Sequence, residues 1–178
     1  MYTVTKLTPG MHNPDRVNIF INGRFDFSLN ITQVVDLQIK IGKSITAKQL
    51  KEYRQASEFG KLYQNTLEWV LACPRSIYET RQYLKRKLVK RELTNKQIAQ
   101  GRVPNYQKRR SSAKKLALFT EEDIEKIITR LEERGYLDDE RFARYYLENR
   151  NAVKGSSMTK LRLELVKKGI EIGRASCR

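Results

Sequence analysis

Two different periodicities divide the sequence into a short N-terminal part and a longer C-terminal part. VNIFINGRFDFSL at 17–29 holds two alternating apolar and polar runs around Asn22-Gly23. Such alternation gives a strand one apolar face, and Asn-Gly is strongly preferred in two-residue hairpin turns. YTVTKL at 2–7 can supply a third strand. The pattern therefore predicts a small antiparallel sheet at the N-terminus.

Helical spacing of apolar residues begins at residue 46. TAKQ at 46–49 is a capping box, in which the Thr and Gln side chains bond the free backbone N–H groups at the start of a helix. We expect this helix to end at Cys73-Pro74, because proline cannot continue the helical hydrogen bonds. SIYE at 76–79 is a second capping box and predicts a second helix.

Three more helices are predicted in the last third of the chain. Thr120 and Asp123 begin the first of them. Its apolar residues fall on one face, at i, i+3, i+4 and i+7: Ile124, Ile127, Ile128 and Leu131. Gly135 ends that helix, Asp138 caps the next one, and a last helix runs from about residue 157 to 168. The chain is therefore predicted to be mainly α-helical.

The segment 90–119 is the least regular part of the sequence. It contains a proline, a glycine, a serine pair and many basic residues. We interpret it as a long basic loop with one short helix at 95–100. Loops of this length in compact proteins are usually functional or disordered.

A shift of the sequence by 81 residues reveals an internal repeat. Ser76-x4-Arg81-x2-Leu84 then lies over Ser157-x4-Arg162-x2-Leu165, with basic residues after both. Two copies that each follow a helix indicate a duplicated helical unit, and such units stack on their neighbours. The alternative is chance, since Ser caps and basic helix ends are common.

Charge is distributed in bands along the chain. The formal net charge is +16, and residues 85–115 carry 12 basic and 1 acidic side chains. Residues 121–140 carry 9 acidic and 3 basic ones, and residues 141–178 are basic again. An acidic helix pair between basic helices can dock onto them by complementary charge. The overall charge favours polyanionic partners but does not determine the fold.

No motif in the sequence predicts catalysis, and we expect no metal or other cofactor. His12 is the single histidine and lies in a polar loop, and the acidic residues 121–123 are the ordinary complement to a helix N-terminus. Gly42-Lys43-Ser44 lacks the preceding glycine of a phosphate-binding loop and is predicted to be a turn. Without a signal peptide or a long apolar run, we expect a cytoplasmic protein.

Basic side chains are the candidate binding residues, for DNA or for acidic patches on a partner. They fall in three groups along the chain. These candidates are Arg75, Lys85, Arg86, Lys87 and Lys90 near the second helix, Lys108, Arg109 and Arg110 in the loop, and Lys160, Arg162, Lys167 and Lys168 in the last helix. A repeated cationic row can follow phosphates at regular spacing. The alternative is that these side chains bond helix-end carbonyls and increase solubility.

Arg81 and Arg162 occupy equivalent positions of the repeat, within apolar stripes. We predict that they pair with acidic residues such as Asp139 and orient neighbouring helices. This structural role is favoured over contact with a partner.

Three segments together resemble the RecX family of bacterial recombination regulators. They are CPRSIYETRQYLKRKL from residue 73, FTEEDIEKIITRLEERGYLDDERFARYYLENR from residue 119, and KGSSMTKLRLELVKKGI from residue 154. NIFINGRFDFSL and IGKSIT are similar to the N-terminal extension of longer members. The resemblance covers residues 2 to 171.

The resemblance implies a fold and a partner. The fold would be tandem three-helix repeats in an elongated body, preceded by a small N-terminal β-hairpin or β-sheet extension. The partner would be the RecA recombinase filament, which members bind and restrain without catalysis of their own, with direct or filament-mediated contact to DNA. We expect a monomer that does not bind membranes. The rival hypothesis is a general DNA- or RNA-binding helical module.

On this basis the chain divides into four parts. Residues 1–45 would form the extension, 46–135 the first repeat with a basic insertion at about 90–119, and 136–172 an incomplete second repeat. The insertion is longer than the usual link in the family, and the second repeat stops after two helices. GRASCR at 173–178 is interpreted as a vector-derived tail on a truncated chain.

Overall fold

The computed structural model describes residues 1–11, 13–100, 119–154 and 157–171. These residues form two compact units. One contains residues 1–63, and the other contains residues 64–100 and the helices that follow residue 120. The prediction of a mainly helical chain with a small N-terminal antiparallel sheet is confirmed.

The first unit contains a four-stranded sheet in the order β3-β2-β1-β4. Its strands are β1 Tyr2–Pro9, β2 Arg16–Ile21, β3 Arg24–Asn30 and β4 Ser44–Ile45, and each neighbouring pair is antiparallel. Asn22 and Gly23 connect β2 to β3 with φ values of 50° and 79°. Both values are positive, as a type I′ hairpin turn requires, so the predicted hairpin is confirmed.

One face of the sheet is covered by the start of a long helix. After the short helix α1 (Ile31–Asp36), helix α2 (Ala47–Ala72) places Leu50 and Tyr53 in a core with apolar side chains of β1, β2 and β3. Arg54 forms a two-bond ion pair with Asp26 at 2.6 and 2.7 Å. The predicted turn at Gly42 is also confirmed, and Lys43 donates to the carbonyl of Leu37 at 2.8 Å.

Among the described residues, the second unit contains the end of α2 and four further helices. They are α3 Ile77–Ala99, α4 Glu121–Glu133, α5 Asp139–Lys154 and α6 Met158–Lys167. The predicted capping box is present at Ser76–Glu79, and Thr120 with Asp123 forms another at the predicted start of α4. The predicted stripe of α4 is fully buried: Ile124, Ile127, Ile128 and Leu131. Gly135, at φ +70°, ends α4 as expected.

The prediction of a loop from residue 90 is wrong, because α3 continues to Ala99. Within this stretch Thr94 donates to the carbonyl of Lys90 at 2.9 Å, and both Thr94 and Asn95 are buried. Tertiary packing therefore stabilises two residue types that favour turns when they are exposed. The remainder of the predicted insertion, residues 101–118, lies outside the described residues, as do His12 and the tail at 173–178.

Both copies of the internal repeat begin a helix at the equivalent position. Ser76 is the N-cap of α3 and Ser157 is the N-cap of α6, 81 residues later. One turn into each helix, the equivalent residues Thr80 and Leu161 are both fully buried. The next pair, Leu84 and Leu165, is buried as well. The two copies of the sequence repeat therefore match in structure as well, both at the helix N-cap and at the buried positions that follow it.

Candidate functional site

The second unit carries an open groove with a volume of about 520 Å³. Its walls come from the end of α2, the first half of α3, α5 and the end of α6. Five cationic and two acidic side chains line it within the described part of the chain: Arg75, Arg86, Arg150, Lys167, Lys168, Glu79 and Glu164. Trp69, Tyr78 and Tyr146 supply aromatic surface. The groove therefore combines an excess of positive charge with aromatic walls.

A ladder of aromatic and cationic groups fixes one wall of the groove. The Arg75 guanidinium lies 4.5 Å from the centroid of the Trp69 ring. Trp69 also stacks on Tyr83, with 4.5 Å between the ring centroids and 6° between the planes. Lys87 lies 5.0 Å from the Tyr83 centroid at the far end. Cation–π contacts of this kind hold a guanidinium in a defined orientation.

Two of the five cations are already paired with the acidic residues of the groove. Arg150 donates two hydrogen bonds to Glu164, both at 3.1 Å, and the Tyr146 hydroxyl donates to the same carboxylate at 2.8 Å. These bonds, led by those from Arg150, lower the pKa of Glu164 below its ordinary value. Lys168 pairs with Glu79 at 2.6 Å. The Glu164 carboxylate therefore stays ionised near neutral pH.

A buried node of hydrogen bonds joins α3 to α6 and shapes the groove. The Ser76 hydroxyl donates to the Lys168 carbonyl at 2.7 Å and accepts from the Glu79 N–H at 3.1 Å. Because Ser76 is fully buried, neither bond can be replaced by water without rearrangement. Gly169, with φ +78°, follows directly and brings the chain against Tyr78.

The start of α5 is attached to the same node. Asp139 accepts a hydrogen bond from the backbone N–H of Ile77 at 2.8 Å. Burial is the main reason that the pKa of Asp139 lies above its ordinary value, and the bond from Ile77 partly opposes this effect. The first turn of α3 is therefore held by its own capping residue and by a side chain from α5.

Three cations of the groove have no acidic partner within ion-pair distance in the described residues. They are Arg75, Arg86 and Lys167. The Nε atom of Arg75 is buried without a hydrogen-bond acceptor in this part of the chain. Such cations are available to an acidic ligand without the loss of an existing pair.

The structure separates the basic residues predicted from the sequence. Arg75, Arg86, Lys167 and Lys168 line the groove. Along α3, Lys85 and Lys90 line a second concavity that also includes Arg86, whereas Lys87 lies over the Tyr83 ring. On α6, Lys160 is exposed in the first turn, and Arg162 lines a concavity on the α5–α6 side. Lys108, Arg109 and Arg110 lie outside the described residues.

Arg81 pairs with an acidic residue, as predicted, but that residue is not Asp139. Arg81 instead forms a two-bond ion pair with Glu125 of α4, both bonds at 2.9 Å, while Asp139 binds the backbone of Ile77. The hydrogen bond from Arg81 lowers the pKa of Glu125. The role predicted for Arg81, orientation of neighbouring helices, fits this contact between α3 and α4. The pair also accords with an acidic helix that docks on a basic one.

Several groove residues were not found from the sequence. Trp69, Tyr78, Tyr146 and Arg150 have helical spacing that is equally typical of core positions. Glu79 was recognised only as part of a capping box. The available signal was the composition near Pro74, where Trp69 precedes the break and Arg75 and Tyr78 follow it. That signal is too weak to assign a site.

Neither a metal site nor a membrane-spanning helix is found in the part of the chain that the structure describes. Its His, Cys, Asp and Glu residues form no group of three or more that could hold a metal ion. No helix there is both long and apolar enough to cross a bilayer.

The fold and the groove define a mainly helical, strongly basic protein with a small N-terminal sheet and a charged groove. Comparison with protein families places a match to the N-terminal domain of regulatory protein RecX at residues 2–46. A crystal structure of a regulatory protein RecX superimposes with a TM-score of 0.66 at 18% identity, and covers 96% of this chain and 69% of the other. This structural likeness supports the fold.

Regulatory proteins RecX are also similar in sequence. The protein from Halalkalibacterium halodurans is 28% identical over 96% of this chain, and the one from Bacillus subtilis is 25% identical over 94%. The chain spans about half the length of these curated relatives, 54% and 52%. The RecX protein of Clostridium tetani is 24% identical, with 62% of its length covered. The resemblance to the RecX family is thereby confirmed.

Proposed function

We propose that this protein is a non-enzymatic regulator that binds the RecA filament on DNA and restrains its recombination and ATPase activity. The similarity to regulatory proteins RecX over 94–96% of the chain supports a regulatory role. The proposed partner follows from the resemblance. We further propose that it acts as a monomer in the cytoplasm.

The observation that carries this proposal is the preformed cationic groove between α3 and α6. Arg75 stacks on Trp69, and neither Arg86 nor Lys167 has an acidic partner among the described residues. These cations give a surface that an acidic partner can occupy without breaking an ion pair in that part of the chain. Binding there requires no cofactor and no chemical step. Restraint of the filament would then arise from occupancy of its surface.

The rival function, general binding of DNA or RNA, is favoured by the net charge of +16 and by the row of Lys85, Arg86 and Lys90 along α3. The two functions differ in what the protein binds most tightly. The protein's affinity for RecA assembled on single-stranded DNA is compared with its affinity for the same DNA alone, both measured at one salt concentration. A filament regulator binds the filament at least tenfold more tightly, whereas equal affinities would favour the nucleic-acid module.

A further inference from the structure

The groove holds charges of both signs rather than one continuous positive track. Glu79 pairs with Lys168 and Glu164 pairs with Arg150, so two acidic side chains are present among the cations. A nucleic-acid backbone places a negative charge at every phosphate, and it would be repelled by these two carboxylates. A protein segment can place single acidic side chains opposite the cations and polar groups elsewhere. The charge pattern therefore favours a protein partner.

Trp69, the largest aromatic side chain of the groove, is poorly placed to stack on bases. Arg75 and Tyr83 each lie 4.5 Å from the centre of Trp69, and two planar groups at that distance cannot share one face. Trp69 is thus enclosed on both faces. Proteins that bind single strands without sequence preference use exposed aromatic faces for stacking. The Trp69 ring offers no such free face to the groove.

The residue types in the groove match those that dominate protein–protein interfaces. Trp, Tyr and Arg carry most of the binding free energy in such interfaces. Tyr78 is 43% exposed at the rim, and Trp69 and Arg75 are half-buried and held in place by their mutual stacking. Fixed side chains lose little conformational entropy when a partner binds.

We infer that this groove is the docking site for an acidic segment of a partner protein. Carboxylates of the segment pair with Arg75, Arg86 and Lys167, and its remaining residues contact Tyr78 and Tyr146. The inference rests on the proposed function and refines it. It assigns the groove to the protein surface of the RecA filament and not to the DNA within it.

The test uses the full chain with Arg86→Glu and Lys167→Glu combined. The matched control combines Lys48→Glu and Lys126→Glu, which change the net charge equally at exposed positions outside the groove. Affinity of each variant for RecA filaments and for bare single-stranded DNA is measured at fixed salt. Arg86 and Lys167 are both exposed, so both variants should fold. A second variant, Arg86→Gln with Lys167→Gln, removes the two positive charges without adding acidic groups.

We expect the groove variant to bind filaments at least about tenfold more weakly than the control variant does. Its affinity for bare DNA should stay within about twofold of the control, since the two variants carry the same charge. An equal loss on bare DNA would overturn the inference and assign the groove to nucleic acid. Unchanged binding to filaments would also overturn it.

Trp69 supplies an independent reporter because it is the single tryptophan of the chain and lines the groove. Its fluorescence is titrated with a ten-residue glutamate peptide and with oligothymidylate at equal ionic strength. A change produced by the peptide in the control variant but not in the groove variant supports the inference. The inference is contradicted if only oligothymidylate produces a change that is lost in the groove variant. It is also contradicted if neither probe changes the fluorescence.

The two experiments separate this inference from the proposed function. If the unaltered protein binds filaments no better than bare DNA, the proposed function fails. The tryptophan titration needs no RecA, so it still decides whether the groove recognises carboxylates.

Discussion

At the scale of single residues, the orientation of Arg75 is the most informative feature of the groove. Its guanidinium stacks on Trp69, so it presents its N–H edges to a ligand in a fixed direction. A planar guanidinium with fixed orientation is well suited to bind a carboxylate with two bonds. Lysine at this position would keep the charge and lose that geometry.

Gly169 provides a prediction about the close approach that shapes the groove. A Cβ atom at this position would lie 2.3 Å from the Cβ of Tyr78, and φ is +78°. We expect Gly169→Ala to lower the free energy of unfolding by about 3 kcal/mol or more, because positive φ and a rigid clash both oppose alanine. Urea denaturation measures the change.

The matched control for this variant is Gly135→Ala. Gly135 ends α4 with φ +70°, but a Cβ there would meet no atom within 4 Å. Alanine at position 135 should therefore lower the free energy of unfolding by only about 1–2 kcal/mol, because only the positive φ opposes it. Equal losses in the two variants would show that the approach of Gly169 to Tyr78 is not tight.

At the scale of elements, the caps of α3 and α6 compare two copies of one repeat. Ser76 is buried and its hydroxyl also donates to the Lys168 carbonyl at 2.7 Å. Ser157 is exposed, and within the described part of the chain its hydroxyl only accepts from the Lys160 N–H. The same residue type therefore serves as a local cap in α6 and as a link between helices in α3. This difference makes the two serines a natural pair for mutation.

We predict that Ser76→Ala destabilises the protein by about 2–3 kcal/mol. The loss combines a helix cap, about 1 kcal/mol, with a buried carbonyl left without its donor. Ser157→Ala should cost about 0.5–1 kcal/mol, because only the cap is lost. Urea denaturation of both variants gives the two losses of unfolding free energy. A loss for Ser76→Ala no larger than that for Ser157→Ala would show that the bond from Ser76 to the Lys168 carbonyl adds no stability.

Much of the fold was predictable because its signals are local. Asn22-Gly23 specifies a hairpin turn, and Ser76 with Glu79 specifies a helix start, through bonds between neighbours in the sequence. The continuation of α3 to Ala99 was missed because buried Thr94 and Asn95 are stabilised by tertiary packing. Periodicity does not reveal that packing.

The candidate site was predictable only in part, because it depends on contacts between distant residues. Arg86 and Lys167 were identified from their charge, but their place in one groove depends on a bond between Ser76 and Lys168, 92 residues apart. Arg150 was missed because its partner, Glu164, lies on another helix. Arg81 was assigned the wrong acidic partner for the same reason.

At the scale of the whole molecule, net charge and groove chemistry have different consequences. A charge of +16 accelerates encounter with any polyanion and makes that encounter sensitive to salt. Specific binding requires contacts that discriminate between partners, and the acidic residues of the groove provide such discrimination. We therefore attribute fast, unspecific capture to the exposed basic residues and partner choice to the groove.

The measurement that tests the central claim most directly is DNA-dependent ATP hydrolysis by RecA from the same organism. The protein is titrated into the reaction at fixed salt, with its affinity for the bare single strand measured in parallel. Regulation of the filament predicts that hydrolysis falls at protein concentrations too low to coat the DNA. Hydrolysis that falls only once the DNA is saturated, or does not fall at all, would contradict the account.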